Sequence, residues 1–103
     1  MSSNLPALNQ WLSEEFEIDA NFQSEEVIIE NLRLLISDLI EHDLERLYQI
    51  LYRVDVNEYK LKSALQDSAL SDSAQIIAQM IFDRQISKIE TRRKYSSDQE
   101  GDW

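Results

Sequence analysis

The stretch NLRLLISDLIEHDLERLYQILYRVDV (Asn31–Val56) decides the fold. With the residues just before it, its apolar positions run Ile28, Leu32, Leu35, Ile36, Leu39, Ile40, Leu44, Leu47, Leu51, Val54. Apart from the adjacent pairs Leu35–Ile36 and Leu39–Ile40, the steps are threes and fours, the spacing that lines one face of an α-helix. No glycine or proline interrupts the chain between Ser24 and Tyr95. Two readings of this stripe compete. Asp43 can cap a second helix, which makes His42 a corner. Against a break, the stripe keeps its phase across Glu41–His42–Asp43, and Asp38 and His42 stand four apart, a favourable pair when the imidazole is charged. Glu41 and Asp43 are also poorly placed at a helix C-terminus. The balance favours one helix, bent at most, from about Ser24 to Arg53. Its length of roughly 45 Å is awkward in so small a domain and is the argument for a break.

Working outward, Ser24 followed by Glu25 and Glu26 is a helix start, a hydroxyl cap with acids in the first turn. Upstream, NLPALNQWLSEEF (residues 4–16) is a short amphipathic helix carrying Leu5, Leu8, Trp11, Leu12 and Phe16. Asn4 is its cap, and Pro6 sits in the first turn, where a missing N–H does no harm. Glu17–Gln23 is the link, with Ile18 and Phe22 as apolar pegs. Downstream, Asp55 with Glu58 fits a capping box that opens a helix over about Val56–Leu65. A polar turn pinned by Leu70 follows over 66–71. Asp72 with Gln75 repeats the cap logic and opens a last helix over about Ser73–Lys94. Its first half (Ala74, Ile76, Ile77, Ala78, Met80, Ile81, Phe82) is apolar on nearly every side and is expected to be the most buried segment. Residues 96–103 read as an acidic flexible tail on a single helical domain of residues 1–95.

Composition supports this reading. Gly101 is the only glycine and Pro6 the only proline, too few turn formers for hairpin-rich β architectures. An aliphatic- and aromatic-rich 43% argues against a disordered chain. Cysteine is absent, which removes disulfides and thiolate chemistry and fits a reducing cytoplasm. The N-terminus lacks the pattern of a secretory signal, and no apolar run reaches membrane-spanning length. The net charge of −10 is uneven. Residues 1–45 hold eleven acids and one base, Arg33; residues 46–97 hold six acids and nine bases; the tail adds three acids. Such a chain repels phosphate backbones and anionic membranes over most of its area.

The segments DLERLYQILYRVDVNEYKLKSAL (Asp43–Leu65) and AQIIAQMIFDRQISKIETRRKY (Ala74–Tyr95) resemble a group of small bacterial all-helical proteins of unassigned function. The shared order is an aliphatic helix ending in LYR-[IV]-DV, a short capped helix, and an aliphatic helix closing on RQ-x-x-KI-x-[ST]-R. The likeness spans roughly Ile36–Lys94. It implies an all-α fold and no particular activity.

Catalytic and metal signatures are missing. His42 is the only histidine. A di-metal bundle site needs Glu-x-x-His on two helices, which one histidine cannot supply. His42 therefore reads as a surface residue paired with Asp38. Asp55-x-Asn57-x-Tyr59 starts like a calcium loop, but Lys60 stands where the loop needs glycine. One glycine also rules out a Gly-rich phosphate cradle. Arg84, Lys88, Arg92, Arg93 and Lys94 form the one basic cluster. It reads either as cations favoured at the end of their own helix and facing the acidic N-terminal half, or as a docking patch for an acidic partner or, more weakly, a nucleic-acid backbone. Tyr48, Tyr52 and Tyr59 flank the turn after Val54, and tyrosine suits half-wet interfaces.

The expectation is an all-α bundle of four helices, five if the long one breaks near His42–Asp43. It is a non-enzyme without cofactor or metal: a small cytoplasmic interaction or regulatory module that self-associates or binds a protein, with no direct nucleic acid and no membrane. The interface candidates are Leu51, Tyr52, Tyr59, Arg84, Lys88, Arg92 and Arg93. The alternatives are an acidic mimic that occupies a basic, nucleic-acid-binding protein, and a carboxylate metal enzyme.

Overall fold

A computed structural model of the chain describes residues 4–66 and 72–102, with side chains through residue 94. The described residues form five helices: α1 (Leu5–Phe16), α2 (Glu25–His42), α3 (Leu44–Val54), α4 (Glu58–Gln66) and α5 (Ser73–Asp102). The fold is an all-α bundle, and the stripe of Asn31–Val56 is divided between two helices.

The break falls at Asp43. Its φ of −155° and ψ of 69° leave the helical region. Its backbone N–H donates to the Leu39 carbonyl at 2.8 Å, closing α2. Its side-chain Oδ1 accepts from the Arg46 N–H at 3.2 Å, opening α3. One aspartate thus satisfies orphan groups of both helices, a local gain that an unbroken helix does not offer. The expectation of one helix over 24–53 is corrected here. Phase continuity misled, because a single non-helical residue need not shift the stripe out of register.

Three capping expectations are met or revised. Ser24 Oγ accepts from the Val27 N–H at 3.2 Å, as read. Asn4 occupies the cap position of α1 but makes no side-chain capping bond; its Oδ1 accepts from Arg93 Nη2 at 3.0 Å instead. Asp55 does not open α4. It ends α3 in the left-handed region (φ 66°, ψ 53°), and Asn57 Oδ1 caps α4 by accepting from the Lys60 N–H at 3.0 Å. Asparagine two residues later outcompetes the aspartate because the chain must first reverse.

The link between α1 and α2 is held by polar side chains of α1. Asn9 donates through Nδ2 to the Phe22 carbonyl at 3.0 Å and accepts the Phe22 N–H through Oδ1 at 2.9 Å. Ser13, one turn on, accepts the Ala20 N–H at 3.0 Å. These bonds replace the ladder partners that an extended segment lacks. They seat Phe22 against the core, while Trp11 and Phe16 meet edge-to-face with ring centroids 5.9 Å apart.

The core is built from Leu8 and Leu12 of α1, Ile28, Leu32, Ile36 and Leu39 of α2, Leu47, Ile50 and Val54 of α3, and Ala74, Ile77, Ala78, Ile81 and Phe82 of α5. The buried half of α5 is the one expected. Ile50 lies outside the stripe read from the sequence. α5 packs against all four other helices, and α2–α5 is the principal pairing. Its backbone stays helical past Lys94 to Asp102, where the sequence reading ends the helix and starts a tail. The long helix is therefore this one, and its reach of about 45 Å accounts for the 50 Å long axis of the molecule. The expected turn over 66–71, with Leu70, lies beyond Gln66 outside the described residues.

Glu17 ends α1 in the left-handed region (φ 56°, ψ 44°), a conformation that costs a residue with a Cβ about 1–2 kcal/mol. Glu17→Gly is expected to stabilise the fold by about 0.5–1 kcal/mol, part of the relief being offset by a freer unfolded chain. A thermal melt checks this, with the midpoint expected to rise by roughly 2–8 °C.

Candidate interaction face and the cationic clamps

The basic cluster does not sit at the end of its own helix. Because α5 runs to Asp102, Arg84 and Lys88 lie mid-helix, and the dipole argument for them fails. They serve another helix end. Lys88 Nζ donates to the Arg53 carbonyl at 3.1 Å, and Arg84 Nε donates to the Asp55 carbonyl at 3.2 Å. Arg84 Nη2 also lies 3.4 Å from the Asp55 carboxylate. Two cations of α5 therefore cap the C-terminal carbonyls of α3, where positive charge is favourable. The same device recurs at α1. Arg46 Nη2 donates to the Glu15 carbonyl at 2.6 Å, and Arg53 Nη2 pairs with Glu15 Oε2 at 2.8 Å. Arg93 reaches Asn4 at the start of α1. The basic second half thus clamps the acidic first half from within the molecule.

Burial against α3 pushes the Lys88 ammonium below its ordinary value of 10.5, with repulsion from Arg84 adding to it, Asp55 opposing, and Arg92 adding again. At the acidic end, a hydrogen bond from Arg33 holds the exposed Glu30 carboxyl below the usual range. His42 lies 3.8 Å from Asp38 and 3.6 Å from Glu41 on the surface. Among the described residues no cluster of three or more His, Cys, Asp or Glu can hold a metal ion. No helix of the described residues is long and apolar enough to cross a membrane.

The tyrosines lie elsewhere. α3 buries Leu47, Ile50 and Val54 and turns Leu44, Tyr48 and Tyr52 outward, with Leu51 half-buried between the two rows. Each step of four residues advances about 40° around a helix, so the row Leu44–Tyr48–Tyr52 drifts steadily from the core edge into solvent. The turn through Asp55 then sets α4 beside it. Together they line an open groove of about 1000 Å³ with Leu51, Val56 and Leu61 at its floor and Tyr48, Tyr52 and Tyr59 at its rim. Tyr52 and Tyr59 are each 87% exposed. Small-molecule sites enclose roughly 70–90% of the ligand surface. The aromatic walls of this groove stand largely in solvent.

Of the seven sequence candidates, the structure brings Leu51, Tyr52 and Tyr59 together on this groove. Arg84 and Lys88 are engaged in capping α3, Arg93 reaches α1, and Arg92 is exposed on α5. The sequence reading left out Val56 and Leu61 as groove floor. Their signal was present only as apolar residues on either side of Asn57, which a helix-by-helix reading assigns to the core.

Replacing Arg84 or Lys88 by alanine is expected to lower stability by about 1 kcal/mol each, because helix-end carbonyls lose their donors. Arg92→Ala is expected to stay within about 0.5 kcal/mol. Chemical denaturation of the three variants checks this. A lysine whose folded value lies below its unfolded value releases its proton sooner in the folded chain. The contribution of Lys88 is therefore constant at neutral pH, and it rises with pH only in the alkaline window between its lowered value and 10.5. Lys88→Met is expected to flatten that part of the stability–pH profile.

No protein-family model, no curated protein and no solved structure matches this chain.

Proposed function

We propose that the chain is a protein–protein interaction module whose binding face is the α3–α4 groove. The observation that carries this is the pair of tyrosines, each 87% exposed, standing over an apolar floor of Leu51, Val56 and Leu61. Aromatic residues with one apolar face and one polar tip are enriched in protein interfaces, and removing them commonly costs more than 1 kcal/mol of binding. An exposed apolar floor ringed by tyrosines supports an interaction role for this face. An enzymatic reading has less support, because the groove is open to solvent along its aromatic rim.

The test is affinity purification from the native cell with two baits, the wild-type chain and Tyr52→Ala/Tyr59→Ala. Whatever chain co-elutes with the wild type, another protein or an untagged copy, is expected to be reduced at least tenfold with the double variant. Circular dichroism of the variant is expected to match the wild type, since neither side chain belongs to the core. Equal recovery with both baits overturns the assignment of the groove.

A further inference from the structure

The occupant of this groove can be read from the charges around it. The whole chain carries 20 acids against 10 bases. The α3–α4 surface is different: its charged lining is Glu45, Arg53, Asp55, Glu58, Lys60 and Lys62, three acids and three bases. A basic partner is drawn to the acidic N-terminal half rather than here, and an acidic body, a second copy at net −10 included, is repelled less at this patch than over the rest of the surface. A balanced patch on a highly charged protein is where a second copy can approach with least repulsion.

Side-chain placement is self-complementary as well. Glu58 and Lys62 lie one turn apart on one stripe of α4, with Tyr59 on the stripe beside them. Both are exposed, and among the described residues neither takes part in an ion pair within the chain. When two copies of α4 cross antiparallel on a two-fold axis, Glu58 of each faces Lys62 of the other. The exposed Tyr59 of each is then directed at the other's open groove. A closed, isologous contact of this kind needs one patch that fits itself.

We infer that the α3–α4 face binds a second copy of this chain, with α4 antiparallel to its symmetry mate, Glu58 paired to Lys62 across the axis and Tyr59 seated in the opposite groove. This inference rests on the groove being an interaction face, and it adds the identity of the partner.

The experiment is size-exclusion chromatography with light scattering on the full chain over a wide concentration range. The proteins are the wild type, Glu58→Lys, Lys62→Glu, the double exchange Glu58→Lys/Lys62→Glu, and Tyr59→Ala. The wild type is expected to dimerise with concentration. Each single charge reversal places like charges opposite one another at two symmetry-related positions and is expected to weaken the dimer roughly tenfold. The double exchange restores opposite charges and is expected to recover the dimer. It keeps the unfavourable lysine at the α4 N-terminus, so recovery separates pairing from helix stability. Tyr59→Ala is expected to be monomeric with an unchanged helical spectrum. A wild type that stays monomeric throughout, or a double exchange that remains as weak as the single reversals, overturns the inference. A monomeric wild type whose bait still loses a different co-eluting protein on Tyr52→Ala/Tyr59→Ala removes the second copy while leaving the groove assignment standing.

Discussion

Helix ends without glycine are the constraint on which this molecule turns. Its one glycine lies within α5, so the turns that close α1, α2 and α3 are all made by residues with a Cβ. Glu17 and Asp55 take the left-handed conformation that glycine usually occupies, and Asp43 leaves the helical region at φ −155°, ψ 69°. Terminal carbonyls still need donors, and long cationic side chains from other helices supply several of them. Arg46 serves α1, while Arg84 and Lys88 serve α3. Each clamp links elements far apart in sequence, so it closes a helix and fixes a tertiary packing at once.

The clamps explain why charge is so unevenly distributed along the chain. Acids at the start of α2 suit a helix N-terminus, and Glu15 receives Arg53 at close range with its side chain largely withdrawn from solvent. The bases of α3 and α5 are needed where helices end. A cluster that looks in sequence like a docking patch is thereby partly consumed by the fold, and the free chemistry moves to the tyrosines. α5 makes this possible. By packing against every other helix it carries the core on one half and the cations on the next, and among the described residues it leaves one side of α3 and most of α4 exposed.

Much of the candidate face was legible residue by residue. Leu51, Tyr52 and Tyr59 stand out as apolar or aromatic side chains around a turn, and they do meet on one groove. What was not legible was how they meet. That depends on Asp55 ending α3 and Asn57 starting α4, whereas the Asp-x-x-Glu spacing reads more naturally as a single cap. The roles of Arg84 and Lys88 were hidden for a similar reason. The residues they cap lie about 30 positions away in sequence, and no local pattern reports a partner at that range.

By itself the sequence determined the all-helical class, the Ser24 and Asp43 caps as possibilities, and the burial of the first half of α5. These follow from periodicity, glycine scarcity and local hydrogen-bonding chemistry, which act over one or two turns. Tertiary structure alone decided that the central stripe breaks at Asp43, that α5 is the long helix, and which apolar residues stay in solvent. α3 is apolar over more of its circumference than one neighbour can cover, and periodicity cannot say which part a neighbour takes. Only the packing of α2 and α5 against α3 assigns Leu47, Ile50 and Val54 to the core and leaves Tyr48 and Tyr52 to the surface.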